Sequence, residues 1–133
     1  MPIISPDAGE ALLLSYMLNK TPPANVRLHL FTSPTTAPTE SILLSDITEA
    51  ADASYVAPAL AGASWTITTT SGVTTASYPE VTFTFAGAQS VFGYYVTDGA
   101  NTTVLWIERF SGAPFTLPSG GGTIAITPKI TLD

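Results

Sequence analysis

Residues 81–85 read Val81-Thr82-Phe83-Thr84-Phe85, and this alternation decides the fold class. Successive side chains of a strand point to opposite faces, so Val81, Phe83 and Phe85 share one face and Thr82 and Thr84 the other. A helix would scatter the same residues around its circumference. The pattern continues upstream, where Trp65 and Ile67 alternate with Thr66 and Thr68 and stop at Ser71-Gly72, and Thr75–Tyr78 forms a short strand before Pro79. Downstream, Val91–Thr97 and Thr103–Phe110 flank Asp98-Gly99-Ala100-Asn101, residue types that suit a hairpin turn. Pro114–Leu117 and Thr123–Thr127 surround the turn Ser119–Gly122, and Lys129–Leu132 follows Pro128. Tyr55–Leu60 contains Pro58, which cannot donate to a ladder and therefore suits a sheet edge. In Val26–Phe31, Val26, Leu28 and Leu30 face one way and Arg27 and His29 the other, the pattern of a half-buried strand with one wet face. About seven to nine short strands with turn signals roughly every ten residues predict an antiparallel β-sandwich or a jelly-roll-like barrel.

The one long helical pattern lies at the N-terminus. Asp7 stands three residues before Glu10, the spacing of a capping box, and Leu13/Met17 and Leu14/Leu18 recur at a spacing of four to build one apolar stripe. Asn19, Lys20 and Thr21-Pro22-Pro23 stop it, so a helix is expected near residues 8–19. Asp46-Ile47-Thr48-Glu49 repeats the capping-box spacing and predicts a short second helical turn at about 45–51, after an exposed loop at Thr32–Glu40. A length of 133 residues accommodates one domain, 1–133, and 45% hydrophobic residues supply one core.

Composition narrows the function. Only 11% of residues are charged, and the cations are Lys20, Arg27, Arg109 and Lys129 against a net charge of -6. Four scattered cations cannot neutralise a run of phosphates, so neither nucleic acid nor an anionic membrane is an expected partner. The absence of cysteine removes disulfides, thiolate nucleophiles and cysteine-based metal sites. Residues 1–20 have no basic region before their apolar stretch, and Ser5, Pro6, Asp7 and Glu10 interrupt it, so no signal peptide is expected. No run approaches the roughly 18 apolar residues of a membrane span. The expectation is a soluble chain made in the cytoplasm.

The residues capable of chemistry are few. His29 is the only imidazole; its strand position beside Arg27 predicts a solvated or interface histidine, and no Gly-x-Ser-x-Gly elbow accompanies it. Glu80, Asp98 and Glu108 are the only acids between residues 54 and 132. Asp98 is expected to bond backbone N–H groups of its own turn, and Glu108 and Arg109, being adjacent, face opposite sides of their strand. Ser119-Gly120-Gly121-Gly122 precedes a strand pattern and not a helix, so it is a turn and not a phosphate cradle. Phe92, Tyr94, Tyr95, Trp106, Phe110 and Phe115 could stack on sugars or fill a core. Cross-strand pairing favours the core, with Phe92, Tyr94 and Val96 on one face and Val104, Trp106 and Glu108 on one face of the next strand. Asn19-Lys20-Thr21 and Asn101-Thr102-Thr103 match the glycosylation sequon, which carries no weight without a secretion signal. No catalytic, cofactor-binding or metal-ligating residue is assigned, and no cofactor is expected. The outward faces are threonine in place of charge, which fits either plain β propensity or a surface covered by another protein.

The order of segments resembles a known family. Pro6-Asp7-Ala8-Gly9-Glu10 and the leucine-rich helix are followed by Leu30-Phe31-Thr32 and Asp46-Ile47-Thr48-Glu49-Ala50. Then come Trp65, Ser77-Tyr78-Pro79-Glu80, Thr82-Phe83-Thr84-Phe85 and Gly93-Tyr94-Tyr95-Val96-Thr97-Asp98. Leu105-Trp106-Ile107-Glu108-Arg109-Phe110 and Ile126-Thr127-Pro128-Lys129-Ile130 complete the series. Over nearly its full length the chain resembles small virion structural proteins of tailed bacteriophages. The resemblance implies a capsid decoration, or cement, protein that binds the outside of the assembled shell, contacts the major capsid protein, forms a homo-oligomer (a trimer) and performs no catalysis. On that reading Met1–Ser5 is either an arm adding to a neighbouring sheet or a frayed or locally packed terminus. The alternative is a tail, neck or fibre-associated virion protein contacting the host surface or another tail component.

Overall fold

Threonine and aliphatic residues in alternation favour extended backbone, and the chain uses it for most of its length. The computed structural model describes residues 3–132. One helix, α1 (Asp7–Met17), precedes twelve strands: β1 (Val26–Ser33), β2 (Thr48–Glu49), β3 (Ala59–Leu60), β4 (Thr66–Thr70), β5 (Val73–Ser77), β6 (Val81–Phe85), β7 (Gln89–Val91), β8 (Gly93–Thr97), β9 (Val104–Arg109), β10 (Phe115–Leu117), β11 (Gly122–Ile126) and β12 (Lys129–Leu132). Short 3-10 turns occupy Leu44–Asp46 and Gly62–Ser64. All pairings are antiparallel: a central sheet β2-β1-β8-β9 with β3 also on β1, the ribbons β10-β7 and β11-β6, and the sheet β12-β5-β4. No sheet closes into a barrel among the described residues, so of the two expected architectures the open, layered one forms.

The main core lies between the central sheet and the β6-β11 ribbon. Leu28 and Leu30 of β1 pair with Val96 and Tyr94 of β8, and this face meets Phe83, Phe85, Ile124 and Ile126. The opposite face carries a second core of Phe31, Tyr95, Val104 and Ile107, closed by Ile42 and the partly buried Ile4, Leu44 and Ile47. All five residues of β8 are therefore buried. This corrects the expected wet face of β1. Burial depends on residues 42–49 folding over Phe31 and His29, a contact that alternation within β1 does not report.

Two local irregularities also break the expected facing. Phe92 sits between β7 and β8, donating to the Phe31 carbonyl at 2.9 Å, and packs in the second core, apart from Tyr94 and Val96. A register shift between Val96 and Thr97 places Leu105 and Trp106 in the first core and Val104 in the second. An extra residue in a ladder changes the facing of everything beyond it.

The helix starts one residue before the expected 8–19 and stops two residues short of it. Asp7 does not cap it: Pro6 stands at the N-cap with no side-chain bond, and the Asp7 N–H donates to the Glu40 carbonyl at 2.9 Å. The far end is a Schellman motif, with Asn19 at φ 56°, its N–H on the Tyr16 carbonyl at 3.1 Å and the Lys20 N–H on the Ser15 carbonyl at 2.8 Å. The second helical turn is shorter and earlier than 45–51, and Asp46 takes the acceptor role that the reading placed at Glu49, receiving the Leu43 N–H at 2.9 Å. Pro38, inside the loop expected to be exposed, is buried. Tyr55–Leu60 contributes only Ala59–Leu60 as strand. Ser71 and Gly72, at φ 53° and 85°, form the tight turn between β4 and β5. Ile4 exchanges backbone bonds with Ile107, and Ser5 Oγ donates to the Leu105 carbonyl at 2.9 Å. These residues pack on β9 of their own chain and are not a free arm; Met1 and Pro2 lie outside the described residues.

Candidate functional site

His29 projects from the buried face of β1. Its ring stacks on Tyr95 at 4.6 Å between centroids, with Nδ1 2.7 Å from Glu49 Oε1 and Nε2 3.0 Å from Thr97 Oγ1. Tyr55 donates its hydroxyl proton to Glu49 Oε1 at 2.9 Å and accepts the Leu30 N–H at 3.0 Å. Glu49, His29 and Thr97 thus stand in the hydrogen-bond order of a hydrolase triad. The Thr97 hydroxyl belongs to a residue with no exposed surface, and His29 is 2% exposed, so no substrate carbonyl reaches that oxygen. The expectation of a solvated or interface histidine is corrected: His29 is buried within its own chain with both ring nitrogens engaged. Sequence reasoning missed Glu49, the one acid that reaches it. Burial pushes the Glu49 carboxyl up, but the bonds from His29 and Tyr55 and the attraction to His29 outweigh it, leaving the group below its ordinary value. Burial drives the Tyr55 phenol far upward.

The remaining acids do not converge, and no group of three or more His, Asp or Glu side chains able to hold a metal occurs among the described residues. Asp98 stays in its turn as expected, accepting the Thr102 N–H at 2.7 Å, the Thr103 N–H at 2.8 Å and the Thr102 hydroxyl at 2.8 Å. Burial raises its carboxyl, but these bonds lower it by more, to a net value below the usual one. Asp52, which the sequence did not single out, accepts the Ser54, Ala86 and Gly87 N–H groups at 2.9, 2.8 and 3.1 Å and ties two loops together. Glu80 is exposed, while Arg109 donates to the Thr35 carbonyl at 3.1 Å and lies over the Phe92 ring. Ser119–Gly122 is a turn leading into β11, with the Gly121 N–H on the Pro118 carbonyl at 2.8 Å. Tyr94, Tyr95 and Trp106 are buried, Phe92 and Phe110 half-buried, and Phe115 alone is exposed at 52%. The aromatic cluster is core, without the flat exposed platform that a sugar requires.

The surface that stands out is apolar. Gly9 is buried against β9, and Leu12 and Tyr16 pack on the main core, so α1 docks through these three. The stripe read from the sequence faces the other way: Leu13, Leu14, Met17 and Leu18 are 36, 54, 73 and 65% exposed. Beside it runs a groove of about 700 Å³ lined mostly by apolar side chains, Leu13, Leu14, Trp106, Ile130 and Leu132 among them, with Glu10 as its one charged residue. The register of β12-β5-β4 extends that surface, because Ile130, Ala76 and Ile67 lie across one another, and Ile67 and Leu132 are 70 and 72% exposed. The other face of the same sheet presents Thr66, Thr68, Thr70, Thr75, Ser77 and Thr131 beside the exposed Val73, with Lys129 its only charge. Comparison with protein-family models, curated proteins and solved structures found no match. No helix among the described residues is long and apolar enough to cross a membrane. Fold and surface together define, among the described residues, a mainly β domain with one α-helix, a hydroxyl-rich face and an apolar groove beside the helix.

Proposed function

We propose that the chain is a structural protein of a tailed-bacteriophage virion, a decoration or cement protein that binds the outside of the assembled shell and stabilises contacts between capsomers without catalysis. The observation that supports this reading is the hydroxyl face of β12-β5-β4, where threonines stand on neighbouring strands with a single charge, Lys129. Hydroxyl groups give up water at less cost than charges and both donate and accept, so such a face suits a broad protein contact. A protein that binds the lattice and not its separated parts stabilises the lattice by mass action, and many copies multiply a modest contact. The major capsid protein is the proposed partner.

Quantitative mass spectrometry of purified particles tests the proposal. A ratio near one copy per major capsid protein is expected. A few copies per hundred would place the chain in the tail or neck, and its absence would end the virion reading. Thr66→Glu with Thr68→Glu, both on exposed positions of the hydroxyl face and outside the groove, is expected to weaken binding to shells at least tenfold while the far-ultraviolet circular dichroism stays unchanged.

A further inference from the structure

The outward leucines of α1 require an occupant, and the distribution of charge along the helix says which. We propose that the α1–β12 groove is the surface on which two copies of this chain pair, with the two helices antiparallel about a twofold axis. The inference does not rest on the virion reading, and it puts a twofold pair in place of the trimer that the resemblance implies.

The first argument is area. The exposed fractions of Leu13, Leu14, Met17, Leu18, Ile67 and Leu132 amount to on the order of 700 Å² of mostly apolar surface, close to the ~800 Å² that each partner brings to a stable interface. The second argument is shape. A ridge (Met17, Leu18) stands beside a groove (Leu13, Leu14, Ile130, Leu132), so a twofold operation can seat the ridge of each copy in the groove of the other.

The third argument fixes the occupant and its direction. Asp7 and Glu10 stand in the first turn of α1, the last turn has no basic residue, and Lys20 follows just beyond the helix end. Parallel pairing would bring like charges together. Antiparallel pairing brings Glu10 of each copy toward Lys20 of the other, and it also opposes the helix dipoles. Glu10 and Lys20 are equally far along the chain from residue 15, which lies within one residue of the midpoint of Leu13, Leu14, Met17 and Leu18. The crossing point set by charge therefore coincides with the one set by apolar contact. An unrelated partner would have no reason to satisfy both conditions.

The test uses the purified full chain in sedimentation velocity over roughly 1–200 µM at low and high salt. A dimer, twice the 13.8 kDa of the chain, is expected. Met17→Glu with Leu18→Glu alters side chains that are 73 and 65% exposed and leaves the core untouched, so the variant is expected to keep its circular dichroism spectrum and to weaken dimerisation at least a hundredfold. Glu10→Lys and Lys20→Glu are each expected to weaken the dimer severalfold, and the double exchange to restore it. A monomer throughout the range, an assembly other than a dimer, or a dimer indifferent to Met17→Glu with Leu18→Glu overturns the proposal. Failure of the charge exchange to restore the dimer overturns the antiparallel direction. A dimer in solution would stand even if the chain were absent from virus particles, so the two proposals fail separately.

Discussion

Gly9→Ala sets two effects of opposite sign against each other. Alanine in place of glycine inside a helix gains up to about 1 kcal/mol from propensity, and helix rules alone predict stabilisation. In this fold, a Cβ at residue 9 would overlap the Val104 carbonyl oxygen and lie 2.9 Å from the Leu105 carbonyl oxygen and 3.0 Å from Leu105 Cα. All three are backbone atoms of β9, and Leu105 is 1% exposed, so no flexible side chain can move aside. The helix must back away, loosening Leu12 and Tyr16 from the core. Such overpacking costs about 1–3 kcal/mol, which exceeds the propensity gain. The expected net loss is about 1–2 kcal/mol, or roughly 3–10 °C in Tm for a chain of this length. Thermal and urea unfolding at one fixed protein concentration, followed by the fluorescence of Trp65 and Trp106, measures it. Ala11→Gly, at an exposed position of the same helix, serves as reference and is expected to lose about 1 kcal/mol from propensity alone. A Gly9→Ala protein more stable than the parent would refute the close approach of α1 to β9, and with it the outward direction of the leucine stripe.

Acid should destabilise the fold. Glu49 and Asp98 are held below their ordinary values, so the unfolded chain binds more protons, and the stability they contribute is full above about pH 5 and lost as pH falls through the folded values. Urea midpoints between about pH 6 and 3 should fall, and the fall should be shallower in Glu49→Gln; an unchanged slope would remove the His29–Glu49 bond from the account. Tyr55→Phe takes the acceptor from the Leu30 N–H and a donor from Glu49, at an expected cost of about 1–3 kcal/mol in urea unfolding. Asp98→Ala removes three bonds to Thr102 and Thr103 and should cost about 1–2 kcal/mol, with hydrogen exchange accelerating first at the β8–β9 turn.

The elements whose signals are local were legible in advance. β12 spans Lys129–Leu132 as read, β6 spans the Val81–Phe85 alternation, Ser71-Gly72 turns the β4–β5 hairpin, and Asp98 caps its own turn. Each depends on residues within a few positions of one another, where alternation, proline, glycine and Asx chemistry act directly. Reading failed where the deciding contact is distant in sequence. His29 looked solvated because nothing in β1 announces that Glu49 and residues 42–49 will cover it. The capping spacing of Asp46 and Glu49 misled because Glu49 is drawn away to the imidazole. Phe92 and Val104 changed sides because a junction and a register shift reset the alternation.

The leucine stripe of α1 is the clearest division between the two kinds of information. Spacing by four determined that the leucines form a stripe, since that follows from 3.6 residues per turn. Whether the stripe faces inward was decided by tertiary packing alone. Gly9 is the one helix residue small enough to sit on the backbone of β9, and once it docks there, rigid helical geometry turns Leu14, Met17 and Leu18 toward water.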